Sequence, residues 1–352
     1  MKKILHITIG NPFGGLDKIV EILLKNLGEF SNKVIYWEKE SIEIFKGIKK
    51  TKTVGLRFKG NNIFVNLFKY VKDLNASDII HVHNVDPWIL FSPMLFYKNK
   101  TIYSLHGNFG YNIKKNIFIR VIILILINYI TLFSRKLVFI TKFQKNYIKR
   151  YAFFKKIFEK KSESIRNFIE EDWIIRKKDS FNGKVLFVGR YTKIKGFNDL
   201  EKAAKGLKNI KFSLIGDNNY KSSLSNLKNL GRISHKNIKK KYDAHSILIL
   251  PSYTETWGLV ILEAMARGLV VIASDIPMIK EYFINKRNGY LFRPGDVEEI
   301  KKIIINLTNN VKEIKRISNN NLRDIKNFSP KESIIKYLNI YKDILDQNEV
   351  KK

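Results

Sequence analysis

The chain has no cysteine among its 352 residues, so neither a disulfide framework nor a thiolate metal site is available to it. A reducing compartment fits that composition. Acidic residues are scarce: 32 Asp and Glu against 65 Lys and Arg, a net charge of +33. Part of that excess is a general bias toward Lys, Ile and Asn. A charge of this size still predicts attraction to polyanions or to anionic membrane surfaces. Between Pro87 and Phe158 there is no acid at all, while Lys98, Lys100, Lys114, Lys115, Arg120, Arg135, Lys136, Lys142, Lys145, Lys149, Arg150, Lys155 and Lys156 are basic. A solvated face usually intersperses both signs. The most apolar run, Ile117 to Phe133, is short for a spanning helix and holds Arg120, Asn128 and Thr131. On a helical wheel these three share an arc of about 80°. Two readings stay open: a core helix, or a helix partly dipped into a bilayer surface. The basic N-terminus runs into a short apolar stretch containing His6 and then into glycines, which fits a first buried strand better than a signal peptide. No Gly-x-Ser-x-Gly elbow, Walker loop or His-Glu-x-x-His occurs.

What is present is an alternation. Apolar strands at Ile4–Ile9, Lys33–Trp37, Ile79–His83 and Thr101–Leu105 are separated by helical patterns at about Gly15–Leu27 and Asn62–Asn75. The second half repeats it, with strands at Val185–Val188, Phe212–Ile215, Ser246–Leu250 and Val270–Ala273. Strands separated by helices predict parallel, doubly wound sheets. The length accommodates two Rossmann-like α/β domains, with a boundary near residues 165–182.

Residues 251–275 carry the densest chemical signal. Glu255 stands in the loop after a strand and just before a helix over Leu259–Arg267, where Gly268 is the stop. In open α/β sheets ligands bind at such strand ends. The helix start offers unpaired backbone N–H groups around Trp257, Gly258 and Leu259. Glu263 lies on the second turn. Taken alone, Glu255 could also be a cap, Glu263 a surface residue and Trp257 simple packing. In Val188–Gly196 a strand again precedes a loop, here with Arg190 and Lys195. A diphosphate needs such cations, Arg pairing two oxygens and Lys acting as a point charge. In so basic a chain they could also be ordinary surface residues. Gly14-Gly15 opens the first helix and allows close approach of the backbone to a phosphate, but is too sparse for a dinucleotide fingerprint, which disfavours NAD. His81 and His83 share one face of a strand. No third ligand of suitable spacing accompanies them, so no metal site is expected. His235 and His245 read as structural.

The string Pro251-Ser…Glu255-Thr-Trp-Gly-Leu…Glu263-Ala-Met-Ala resembles the signature of family 4 of the retaining glycosyltransferases, enzymes of the GT-B fold. Arg267 and Val270 depart mildly from the pattern. The resemblance implies two Rossmann-like domains facing a cleft: residues 1–165 on the acceptor side, 166–328 binding a nucleotide sugar, and a helix in 329–352 crossing back to the first domain. Ser164-Ile-Arg-Asn-Phe-Ile resembles the family's linker without its Pro and Gly. By resemblance, Arg190 and Lys195 hold the donor phosphates, Gly14 and Gly15 close over them, and Glu263 takes the ribose. Glu255 with the N–H groups of Trp257 to Leu259 holds sugar hydroxyls. Backbone near Arg232 and Ile233 meets the base, and His106 lies against the reacting centre. No metal and no cofactor is implied, and no Asp-x-Asp is placed as in metal-dependent sugar transferases. The partners implied are a nucleotide-sugar donor and a glycan or lipid-linked acceptor. With the basic stretch they place the enzyme in the cytoplasm, peripheral on an anionic membrane. Rivals are another GT-B enzyme, such as a sugar phosphorylase or epimerase, and a basic nucleic-acid-binding protein. The second finds no supporting motif, and no nucleic-acid partner is expected.

Overall fold

A computed structural model describes residues 1–8, 15–36, 45, 47–55, 63–83, 94–107, 117–175, 178 and 181–350, with the backbone alone at 63–65, 94–95, 117–120, 123 and 235–236. Two compact units emerge, residues 1–167 with 330–352, and residues 168–329.

Unit 1 begins with β1 (Lys3–Thr8), α1 (Gly15–Lys25), β2 (Ser31–Tyr36), β3 (Thr51–Gly55), α2 (Ile63–Ala76) and β4 (Ile79–His83). It continues with α3 (Met94–Tyr97), β5 (Thr101–Leu105), α4 (Ile117–Phe133), β6 (Lys136–Phe139), α5 (Lys142–Lys149), α6 (Lys155–Lys161) and β7 (Ser162–Ser164). The seven strands form one sheet in the order β3-β2-β1-β4-β5-β6-β7, every pairing parallel. The central strands are buried on both faces, as helices on both sides require. Leu5, Ile7, Ile80, Val82, Tyr103 and Leu105 face one core, against Tyr70 and Leu74 of α2 and Ile127 and Ile130 of α4.

Unit 2 contains β8 (Val185–Val188), α7 (Phe197–Gly206), β9 (Phe212–Ile215), β10 (Leu227–Asn229), α8 (His235–Asp243), β11 (Ile247–Leu250), α9 (Leu259–Ala266) and β12 (Val270–Ser274). After these come α10 (Pro277–Lys280), β13 (Gly289–Phe292), α11 (Val297–Asn309) and α12 (Val311–Asp324). Its sheet is parallel in the order β10-β9-β8-β11-β12-β13. The last helix, α13 (Pro330–Glu349), belongs to unit 1. Its buried stripe of Ile334, Tyr337, Ile340, Tyr341 and Ile344 has the three-and-four spacing of one helical face.

The helix α4 reverses the arrangement its composition suggests. Asn128 and Thr131, two of the three polar side chains on the wheel, are buried. Asn128 Nδ2 donates to the Leu124 and Tyr151 carbonyls at 2.8 and 3.0 Å, and its Oδ1 accepts from the Phe153 N–H at 2.7 Å. Thr131 Oγ1 donates to the Ile127 carbonyl at 2.6 Å. Polar groups go inward because the loop before α6 has backbone groups to satisfy. Val121, Ile122 and Ile125 are left exposed. Among the described residues no helix is long and apolar enough to cross a membrane.

Candidate active site

In unit 2 the chain leaves β8 toward β9 and leaves β11 toward β12, on opposite sides of the β8–β11 pair. That is a topological switch point, the place where open α/β sheets bind ligands. The loop after β8 carries Arg190 and Lys195; the loop after β11 carries Glu255. Lys195 Nζ donates to Glu255 Oε1 at 2.6 Å, and Ser252 Oγ donates to the same oxygen at 2.8 Å. Glu255 is only 6% exposed. The Tyr253 N–H donates to the Ile194 carbonyl at 2.8 Å, joining the two loops. Their approach depends on Gly196, whose φ is +67° and whose added Cβ would lie 1.8 Å from the Pro251 carbonyl oxygen. No larger residue fits there. Arg190 is exposed on the same loop.

Gly258, at φ 72° and ψ 57°, turns the chain into α9. Trp257 stacks on Tyr282 with ring centroids 4.5 Å apart, and the Tyr282 hydroxyl donates to the Trp257 carbonyl. That bond fixes the peptide ahead of α9, where the N–H groups of Leu259 and Val260 precede the first hydrogen bond of the turn, from the Ile261 N–H to the Gly258 carbonyl at 2.8 Å. Trp257 Nε1 and Thr254 Oγ1 are buried with no hydrogen-bond partner among the described residues.

Glu263 is buried on α9, and its Oε2 accepts from Tyr242 of α8 at 2.6 Å. Burial, and then the Glu263 charge, push the Tyr242 hydroxyl well above its usual range, so it stays a donor. Arg267 departs from the family pattern for a visible reason. Its guanidinium clamps the Asp243 carboxylate at 2.7 and 2.5 Å and donates to the Trp173 carbonyl at 3.2 Å. Ile233 lines a separate cavity of about 420 Å³ with Arg232, Ser234, Asn237, Lys240 and Lys241. The structure thus joins Lys195 directly to Glu255, sets Trp257, Gly258 and Leu259 beside them in sequence, and places Glu263 one helical turn further on.

Unit 1 has its own switch point, between β1 and β4. Gly14 lies outside the described residues, and Gly15 opens α1. The β1–β4 register sets His6 opposite His81, which supplies the third imidazole that local spacing does not reveal. His6, His81 and His83 offer nitrogens within 4.8 Å of one another. The existing bonds account for much of that capacity. His81 shares hydrogen bonds of 2.7 Å with Tyr341 Oη and with Ser104 Oγ, and His6 Nδ1 lies 3.0 Å from His83 Nε2. A cation taken up through those bonded nitrogens would break these contacts, whereas His6 Nε2 and His83 Nδ1 are buried with no partner among the described residues. Burial lowers all of these imidazoles: His6 to about 4, and His81 and His83 well below their usual range, the last two further lowered by neighbouring imidazoles. His106 follows β5 with both ring nitrogens buried and unpartnered among the described residues, and burial lowers it to about 3. Gln144 of α5 donates to the Leu105 and Gly107 carbonyls at 3.1 and 2.9 Å and so holds the turn around His106. Sequence reading missed Gln144 and Tyr242, because no local pattern marks either. His245 is buried, with Nδ1 2.6 Å from the Lys241 carbonyl oxygen. The His235 side chain lies outside the described residues.

Residues 169–324 match the family model described as glycosyl transferases group 1. An uncharacterised glycosyltransferase of Methanocaldococcus jannaschii is 27% identical over 362 residues, covering 98% of this chain and 99% of that protein. The fold matches sucrose-phosphate synthase from Thermosynechococcus elongatus with a TM-score of 0.82 at 16% identity, over 99% of this chain and all of that one. It also matches Anabaena HepE, solved in complex with UDP-glucose, with a TM-score of 0.79 at 17% identity over 99% and 100% of the two chains. The architecture is GT-B. Unit 2 thus matches the group 1 glycosyltransferase model, and the whole chain is similar to a full-length glycosyltransferase.

Proposed function

We propose that the protein is a retaining glycosyltransferase of family 4, which moves a sugar from a nucleotide-diphosphate sugar to a glycan or lipid-linked acceptor in cell-surface polysaccharide or glycolipid synthesis. The observation that carries the reading is the Lys195–Glu255 pair, with its carboxylate buried, at the unit 2 switch point, beside the helix start that Gly258 opens. Lys195 and Arg190 neutralise the diphosphate as the bond from the anomeric carbon breaks and its electron pair passes to the leaving oxygen. Glu255 accepts from sugar hydroxyls, and the N–H groups near Leu259 donate to them. The carboxylate of Glu263, held in place through Oε2 by Tyr242, suits a pair of ribose hydroxyls. The cavity at Ile233 suits the base. Gly14, Gly15 and His106 keep the roles the resemblance gives them. The acceptor hydroxyl adds on the face the diphosphate leaves, and its proton passes to a leaving phosphate oxygen. No protein base and no metal is needed for that step.

The reading predicts donor hydrolysis or transfer for at least one member of a nucleotide-sugar panel, with the anomeric configuration kept in the product. NMR of the product reads both. Phosphorolysis in place of transfer, or an inverted product, would overturn it.

A further inference from the structure

We propose that Tyr282 is a positioning residue for the transferred sugar: its hydroxyl holds the Trp257 carbonyl and so sets the aim of the Gly258 N–H and the entry into α9. The inference rests on the proposed reading of Glu255 and this helix start as the place of the donor sugar. Tyr282 comes from a third strand-end loop. β12 pairs with β11 in register, Ala273 opposite Leu250, so the segment after β12 starts beside the loop that carries Glu255. Pro277 opens the short helix α10, and at its end the Tyr282 and Phe283 N–H groups both donate to the Ile279 carbonyl, at 3.2 and 3.0 Å. Phe283 is buried, while the Tyr282 ring stacks on Trp257.

The Trp257 and Tyr282 rings lie 20° from parallel, and Phe328 meets Tyr282 edge-on with centroids 5.9 Å apart. Phenylalanine would stack as well, so the ring alone gives no use for a hydroxyl. The hydroxyl acts on the backbone. A trans peptide is planar, with its C=O and N–H pointing to opposite sides. Drawing the Trp257 carbonyl toward Tyr282 therefore turns the Gly258 N–H to the side away from it. Gly258 has no side chain to hold that peptide, and its φ of 72° lies where glycine moves most freely. A Cβ added there would lie 3.3 Å from Tyr282 Oη, so the hydroxyl is packed directly over the turn. Burial, and then the Glu255 charge, push the phenol well above its usual range, which keeps it a donor. Its single proton goes to the Trp257 carbonyl, while Glu255 Oε1 accepts from Lys195 and Ser252. Tyr282 thus acts through the peptide and not through the Lys195–Glu255 pair.

Tyr282→Phe keeps the stack and removes only that bond, so its melting temperature should move by no more than about 4 °C. Hydrogen exchange of the amides at 258–260 should quicken about fivefold, as expected for one ordinary hydrogen bond. With the best donor of the nucleotide-sugar panel, kcat/KM should fall about tenfold, less than the roughly 10²–10³ that outright loss of a preorganised donor group costs. The Kd of the nucleoside diphosphate that this donor releases, measured by calorimetry, should stay within about twofold, because Arg190 and Lys195 are untouched. Tyr282→Leu, which also removes the stack, should show the same selective loss at a lower melting temperature. Unchanged kcat/KM or unchanged exchange in Tyr282→Phe overturns the inference. So does an equal weakening of donor and nucleoside diphosphate, which marks general loosening of unit 2. A parent chain that transfers sugar from no donor refutes the reading of the site instead, and the exchange measurement still reports whether Tyr282 holds the turn.

Discussion

Removing either member of the Lys195–Glu255 pair should have unequal effects on stability and similar effects on turnover. Glu255 is 7% exposed at its side chain and Lys195 22%. Lys195→Ala leaves a buried carboxylate with Ser252 as its remaining partner on Oε1. An uncompensated buried charge costs several kcal/mol, and the remaining hydrogen bond offsets part of that, so a loss of about 2 kcal/mol is expected. Glu255→Gln leaves an ammonium that reaches water, and should cost about 1 kcal/mol or less. For a unit of this size those values correspond to melting shifts of about 4–8 °C and about 2–4 °C. The double variant should be less destabilised than the sum, with a coupling of about 1 kcal/mol. Both single variants should lower kcat/KM for transfer about 10²–10³-fold, because each removes a preorganised electrostatic contact to the donor. Differential scanning calorimetry of the four proteins, with initial rates on the best donor of the panel, measures all of this. Additive stabilities within about 0.4 kcal/mol would show that the pair does not couple, and near-normal turnover in both single variants would refute the site.

Chelation by EDTA should leave transfer unchanged if, as proposed, Arg190 and Lys195 neutralise the diphosphate; activity lost to EDTA and restored by magnesium or manganese would count against the reading. Acid should destabilise unit 1. His6 is held neutral in the folded state down to about pH 4, whereas an unfolded histidine takes its proton near 6.5. The unfolded state therefore binds more protons below about pH 6.5, and stability falls with pH from there toward 4, by about 3 kcal/mol for this group alone. The urea midpoint should drop clearly between about pH 7.5 and about pH 5, and a flat profile would mean that the cluster titrates normally. Gly196→Ala should destabilise unit 2 by several kcal/mol, because its Cβ would sit 1.8 Å from the Pro251 oxygen. Equal melting of variant and parent would refute that contact.

The alternation of strands and helices was readable because apolar runs such as Ile-Leu-Ile-Leu of β11 and Val-Val-Ile-Ala of β12 are buried on both faces and carry a strong local signal. Edge strands escaped for the opposite reason. The residues Thr51–Gly55 of β3 and Ser162–Ser164 of β7 are polar and half-exposed, and only pairing with a neighbour makes them strands. The Glu255 loop was legible from its motif. Its hydrogen-bonding companions were not, because Tyr242 and Tyr282 reach Glu263 and Trp257 across turns of chain with no fixed spacing. His6 illustrates the same limit: its match to His81 is a matter of strand register over 75 residues of sequence, set by the whole sheet. The wheel of α4 grouped Asn128 and Thr131 on one arc but left open which way it faces, since backbone groups of the following loop, invisible in the helix's own sequence, drew Asn128 inward.

The bond between His81 and Tyr341 spans 260 positions of the chain. On the ribosome this inverts the order of completion. Residues 168–329 can close as soon as they emerge, while the unit made first still lacks α13. At 5–20 residues per second the strand carrying His81 waits about 13–50 s for its partner. During that interval the sheet of unit 1 shows the apolar footprint of Tyr337, Ile340 and Tyr341 to the cell. A nascent chain cut short after Ser329 would keep that footprint open and become a substrate for chaperones and proteases, with its second unit already folded.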